Sequence, residues 1–250
     1  MLKTKFSILG KYNYKLTDNL TIHIPTLGEI RETETSENEY LYTVSIFTKT
    51  QCDYMVELSD IGKDYTQVDN YDIFLEIFCN TLKSNSVSKK TWDLLFENID
   101  MSNLFTYQSV TDNQTVICDK DKNILINKEI YEKLSDLFRQ IIFSTKNDEY
   151  LKVPEEETKK YLIERARKKR ERNKLKNVAS QLDGYILALV NNCNFKYDFK
   201  TVKNITLYDF YCSYQQIFKD KEVDGLLSGY WSGNVNRDDL TSTKLNRFIL

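Results

Sequence analysis

Lys128-Glu-Ile-Tyr-Glu-Lys-Leu-Ser-Asp-Leu-Phe-Arg-Gln-Ile-Ile-Phe143 reads as a helix on spacing alone. Ile130, Leu134, Leu137, Phe138 and Ile141 recur at three- and four-residue intervals, which gathers them on one helical face. Just upstream the character changes. Thr115 to Cys118 and Ile124 to Ile126 flank the polar turn Asp119-Lys120-Asp121-Lys122-Asn123, the pattern of a hairpin. A hairpin running into an amphipathic helix points to an α+β fold. The chain has only 7 Gly and 2 Pro in 250 residues, so it carries few obligatory turns and helices should dominate. The expected architecture is helix-dominated α+β, with two short β-hairpins and about nine helices.

Toward the N-terminus, Tyr12, Tyr14 and Leu16 alternate with polar residues, Thr17-Asp18-Asn19 punctuates, and Leu20, Ile22 and Ile24 alternate again. This is the other hairpin. Pro25 stops it, and Thr26 with Glu29 is a capping box that predicts a short helix. Glu39 to Thr48 suits either a strand or a helix. A helix is favoured because Thr50 with Asp53 then caps another, running from Gln51 to a stop at Gly62. Asp69 caps a helix with Ile73, Phe74, Ile77 and Phe78 on one face. Lys89 to Asn98 is expected to be helical, burying Trp92, Leu95 and Phe96.

Toward the C-terminus, Val153-Pro154 marks a boundary, and two lobes are expected: residues 1–152, with both hairpins, and residues 153–250, helical. Pro154 suits a first helical position, and Glu155 to Glu157 suit the positive end of its dipole. That helix should continue past Lys176, with a break near Gly184. Thr206 and Asp209 form another capping box. Behind it Leu207, Phe210, Tyr211, Tyr214, Ile217 and Phe218 make a wide apolar face expected to be core, with Phe210 and Phe218 buried. Gly225, Gly229 and Gly233 recur every four residues, which suits either a close-packing helix face or, as favoured here, breaks between short terminal elements.

With 41% hydrophobic and 13% aromatic residues, the chain has enough apolar material for a packed core despite 29% charge. No stretch approaches the length of a signal-peptide core or a membrane span, so a soluble intracellular protein without membrane contact is expected. The five cysteines contain no CxxC pair, which argues against a zinc knuckle or disulfide framework and suits a reducing cytoplasm.

Catalytic chemistry finds little purchase. The single histidine, His23, is expected on a surface or edge strand, and there is no GxSxG elbow. Asp119-x-Asp121-x-Asn123 copies half a calcium loop, but Ile124 stands where Gly is needed and Ile130 where the closing Glu is needed. Phosphate loops of the GxxxxGK[ST] or GxGxxG kind are absent. No pair of carboxylates is singled out. A protein without enzymatic activity, metal or cofactor is expected.

The strongest anomaly is electrostatic. Lys159, Lys160, Arg165, Arg167, Lys168, Lys169, Arg170, Arg172, Lys174 and Lys176 are opposed only by Glu164 and Glu171, giving this stretch +8. The whole chain is −2, which leaves −10 for the rest. Arg165 to Lys176 is the candidate partner-binding patch. Three readings stand: a solvated helix, a protein contact, or a nucleic-acid footprint that lacks aromatic interleaving apart from Tyr161. Replacing Lys168, Lys169 and Arg170 by Glu is expected to leave folding intact.

Several segments carry a resemblance. Leu20-Thr-Ile-His-Ile-Pro-Thr-Leu-Gly-Glu-Ile30 comes first, then the aromatic block from Tyr40 and the turn Leu58-Ser-Asp-Ile-Gly-Lys-Asp-Tyr65. Ile205-Thr-Leu-Tyr-Asp-Phe210 and Gly229-Tyr-Trp-Ser-Gly-Asn-Val235 follow. From about Lys11 to Val235 this order resembles tail-region proteins of bacteriophages infecting Gram-positive bacteria, read as tail assembly chaperones or tail-associated structural proteins. None of these motifs is catalytic, and neither the Asp119 turn nor the basic stretch matches one. The resemblance implies a non-catalytic tail assembly protein in the host cytoplasm, with a tape-measure or tail-tube protein as partner. A component of the virion and a nucleic-acid-binding regulator are the alternatives.

Overall fold

The computed structural model describes residues 7–32, 37–97, 99–109, 114–121, 123–152, 155–174 and 181–249. Two strands, β1 (Asn13–Lys15) and β2 (Thr21–His23), pair antiparallel with Asn13 opposite His23. Pro25 ends the hairpin and α1 (Leu27–Glu32) follows. The Thr26–Glu29 box forms as expected: Glu29 Oε2 accepts from the Thr26 backbone N–H at 2.7 Å, while Thr26 Oγ1 accepts from Glu29 N–H at 3.1 Å.

Next comes α2 (Glu37–Thr48), the helix favoured over a strand. The helix expected from Gln51 starts later, as α3 (Met55–Asp60). Thr50 and Asp53 close a separate turn instead: Asp53 Oδ2 accepts from Thr50 N–H at 2.8 Å and lies 3.2 Å from the Thr50 hydroxyl, which makes its shorter bond to Asn147 O. Gly62 supplies the stop with φ +73°, and Lys63 N–H reaches back to Leu58 O. Asp69 caps α4 (Asn70–Ser84) by accepting from Tyr71 N–H at 2.8 Å.

The helix expected over Lys89–Asn98 is cut short. α5 (Lys89–Asp93) gives way to a two-residue strand, β3 (Phe96–Glu97), on the free edge of β2. His23 N–H donates to Leu95 O, so a sheet edge left open by the first hairpin takes these residues out of the helix. The second hairpin gains a strand in the same way: β4 (Phe105–Gln108) pairs along β5 (Thr115–Cys118), whose other edge meets β6 (Ile124–Ile126).

α6 (Lys128–Ile141) packs on α2, and this contact centres the larger core. Phe47 of α2 is its hub, 5.1–5.8 Å from the rings of Phe74, Phe78, Phe96 and Phe138. Ser135 there donates to Phe47 O, and Arg139 donates through Nε and Nη2 to Thr48 O, whereas the buried Tyr40 hydroxyl has no hydrogen-bond partner among the described residues.

α7 (Glu156–Lys174), α8 (Gln181–Val190), α9 (Leu207–Trp231) and α10 (Ser242–Leu245) complete ten α-helices among the described residues. The Val153-Pro154 boundary and the continuation past Lys176 lie outside the described residues. Gly184 lies inside α8 and breaks nothing. The larger core draws on both sides of residue 153, since Leu182, Ile186, Ile205, Tyr208 and Phe210 pack with Leu27, Tyr40 and Leu137.

The C-terminal expectations need two corrections. Gly225 and Gly229 do not separate short elements, because α9 runs unbroken for 25 residues to Trp231. A Cβ on Gly229 would stand 2.7 Å from Val235 Cγ2, so this glycine lets the following segment fold back on the helix. Gly233, at φ +76°, makes that turn. Second, Phe210 is fully buried but Phe218 is 59% exposed, so the apolar face is not buried along its whole length, although Val223 further along α9 is buried again.

The Thr206 hydroxyl caps α9 by accepting from Asp209 N–H. The two capped starts, α1 and α9, lie side by side as an antiparallel bridge between Thr26 and Thr206. Leu27 N–H donates to Ile205 O at 3.0 Å and Leu207 N–H donates to Pro25 O at 2.8 Å.

Candidate partner-binding surface

The basic helix is α7, and it divides into two faces. Leu162, Ile163 and Ala166 pack into a second, smaller core made by Cys52, Met55, Val56, Leu58, Tyr65 and Ile73. Helical spacing puts Lys159 and Arg170 on the same side, with Arg167 at its edge. All three meet carboxylates at or just after α3: Lys159 Nζ lies 2.7 Å from Asp64 Oδ2, Arg167 Nη2 lies 2.6 Å from Asp60 Oδ1, and Arg170 Nη1 meets Glu57. Arg170 also donates from Nη2 to Asp53 O at 2.6 Å. The Lys159 ammonium beside Asp64 holds that carboxyl below its ordinary range, and Asp60 raises the Arg167 guanidinium.

The other face is different. Tyr161, Arg165, Lys168, Lys169 and Arg172 follow at i, i+4, i+7, i+8 and i+11, so they form one stripe about 16 Å long. All five are exposed, and they line a shallow surface groove with Glu164 and Asn173. Neither Arg165, Lys168, Lys169 nor Arg172 lies within ion-pair distance of a carboxylate among the described residues.

The structure therefore sorts the candidate patch. Arg165, Lys168, Lys169 and Arg172 come together on the open stripe. Arg167 and Arg170 are taken up in holding α7 to α3, so the triple replacement at Lys168, Lys169 and Arg170 would remove a docking contact. Nothing is described of the Lys174 side chain, and Lys176 lies outside the described residues.

Sequence reasoning missed the acidic side of this arrangement. Glu57, Asp60 and Asp64 are spaced i, i+3 and i+7, a one-sided acidic pattern that was visible in the chain but has meaning only opposite the basic helix.

Other candidates resolve into fold roles. His23 is not on an edge: β3 makes β2 the central strand, and the half-buried ring lies between Asn13 Oδ1 at 2.7 Å and Glu29 Oε1 at 3.2 Å. Burial works to raise the Glu29 carboxyl, but hydrogen bonds from Thr26 and the nearby His23 outweigh it and hold the group low. Asp119 accepts from the Asp121 and Asn123 backbone N–H groups and from Asn123 Nδ2, so its oxygens organise the turn. Among the described residues no three His, Cys, Asp or Glu side chains group to hold a metal ion. The cysteines are all free; Cys52, Cys118 and Cys212 are buried, and burial pushes the Cys212 thiol up to about 11, while Cys193 is exposed.

A polar cleft of about 680 Å³ lies between the start of α4 and α6. Its Lys128 is paired with Asp69 at 2.6 Å, and its Arg139 is held by Thr48 O, so these charges serve the fold. No helix of the described residues is long and apolar enough to cross a membrane.

No family model, curated protein or solved structure matches this chain. The stripe on α7 thus has to be interpreted from its own chemistry. It offers four cations and one aromatic ring in a straight row, held on a helix anchored from behind.

Proposed function

We propose that this chain is a non-catalytic binding protein of phage tail assembly, and that the outer stripe of α7 takes an acidic helical surface of a tail protein. One observation carries the binding part: Arg165, Lys168, Lys169 and Arg172 are aligned, exposed and without a carboxylate partner among the described residues, while the cations behind them are spent on anchoring the helix. A row with helical spacing suits a partner whose carboxylates recur with that same spacing. The phage setting rests on the resemblance of the quoted motifs. A tape-measure protein, which exposes long amphipathic helices before the tail tube polymerises, is the client that best fits such a row.

The test is co-expression with a candidate tape-measure or tail-tube protein, scoring solubility and pull-down together. The triple variant Arg165→Glu, Lys168→Glu, Lys169→Glu is expected to stay folded and to lose the client. Retention of the client by this variant, or failure of the wild type to bind any tail protein, would count against the reading.

The same stripe gives the nucleic-acid reading its one specific support. Duplex DNA titrated at several salt concentrations separates the two: micromolar affinity near physiological salt, lost in the triple variant, would favour a regulator.

A further inference from the structure

α7 covers a surface with a chemistry of its own. Only Leu162, Ile163 and Ala166 enter the smaller core, and each stays half-buried. The floor beneath is drier: Met55, Val56, Leu58 and Tyr65 are all buried. Around that floor stand the carboxylates of Glu57, Asp60 and Asp64, each meeting a cation of α7. The α3 side is thus an apolar strip with an acidic rim.

The hold of α7 on this strip is modest by its nature. Its 19 residues are mostly charged, so little apolar area ties it down, and α3 is the one helix it packs on extensively. The Arg167–Asp60 and Arg170–Glu57 pairs are open to solvent and therefore screened by salt, while the Lys159 side chain at Asp64 is more sheltered. A helix attached this way opens locally at a free energy well below that of global unfolding. Opening bares the strip and its rim together.

We propose that this α3 face is a docking groove for a basic amphipathic helix of a partner protein, and that α7 is the resident helix which such a partner displaces. α7 itself states what the groove accepts. Two adjacent apolar residues are followed by a small one a turn later, with a cation three residues before the pair and others four and seven residues after it. The carboxylate rim selects basic helices and repels acidic ones. The groove therefore takes the opposite kind of partner from the outer stripe, and its occupancy does not depend on what the stripe binds.

A labelled peptide with the sequence of residues 156–174, added to the full chain, serves as the probe. The double variant Arg167→Glu, Arg170→Glu sets like charges against Asp60 and Glu57. It is expected to bind the peptide about tenfold or more tighter than wild type, because a tethered competitor lowers apparent affinity by the open fraction. Glu57→Lys with Asp60→Lys is expected to lose the peptide. Hydrogen exchange gives the second readout: amides of α7 should exchange faster in the Arg167→Glu, Arg170→Glu variant while those of α6 do not. Arg167→Gln, which removes one exposed pair, replaces the double variant should that fail to fold, with a smaller gain expected. Several results would overturn the proposal: no peptide binding once α7 exchanges fast, α7 exchanging only with global unfolding, or a charge-reversed peptide binding equally well. Dimerisation of the variant in place of peptide binding would assign the groove to a second copy and also overturn it.

Discussion

Phe210 and Phe218 lie two turns apart on α9 and are the same side chain, yet one is fully buried and the other 59% exposed. Truncating each to Ala tests the course of this helix directly. Phe210 packs in the larger core with its ring 5.9 Å from that of Tyr211. Its removal loses roughly 1.5–3 kcal/mol of transfer free energy and leaves a cavity, so the total cost should be about 3–5 kcal/mol. For a chain of this size that corresponds to a fall in Tm of roughly 6–20 °C. Phe218→Ala should stay within about 0.5 kcal/mol of wild type. Urea unfolding followed by far-UV circular dichroism measures both, as a change in midpoint at constant slope. Equal costs for the two variants would refute the placement of α9, since Phe218 would then have to be core. A Phe210→Ala protein as stable as wild type would refute the packing around Tyr40 and Leu137.

Three further outcomes follow from the geometry. Arg170→Glu should lower stability more than Lys168→Glu, by about 1–3 kcal/mol, because it leaves Glu57 facing a like charge and Asp53 O without its donor; paired urea titrations check this. Glu29 is held below its ordinary value of 4.5, so it contributes stability that is present above that pH and is lost as pH falls through the lower folded value. Glu29→Gln should therefore show a shallower loss of Tm below pH 4.5 than wild type. Gly28→Ala would set its Cβ 2.9 Å from the Lys203 backbone oxygen and should cost about 1–3 kcal/mol. Gly225→Ala, with open space around it in mid-helix, should gain about 0.5–1 kcal/mol, and thermal melts of the two should shift in opposite directions.

What could be read in the chain was whatever depended on near neighbours. The box at Thr26, the Thr206 and Asp69 caps and the Gly62 stop form where their spacing places them, although the Asp209 carboxylate accepts from Gly10 N–H and leaves its box half made. Errors arose where a distant element decided. Leu95 and Phe96 read as helix until the open edge of β2, more than seventy residues earlier, took Phe96 into a strand and the Leu95 carbonyl as an acceptor. Gly229 read as a break because nothing local announces that Val235 will fold back against it. Phe218 shares the apolar spacing of Phe210, but no element among the described residues covers it. The basic patch shows the same divide. Its charge was evident, but separating Arg167 and Arg170 from Arg165 and Lys168 required knowing where Asp60 and Glu57 would lie.

The bridge between Thr26 and Thr206 has a consequence for how the chain comes into being. The first amide of α1 needs the carbonyl of Ile205, which is made about 180 residues later. During synthesis α1 can coil, but its leading donor stays with water until the start of α9 has emerged and turned back. Closing so long a loop is entropically costly and slow, and the reward comes only when both helix starts meet. Residues at the start of α1 are thus translated well before the partner that locks them. A ribosome that stalls before residue 205 would hold out a nascent chain with Leu27 exposed, a natural target for a general chaperone.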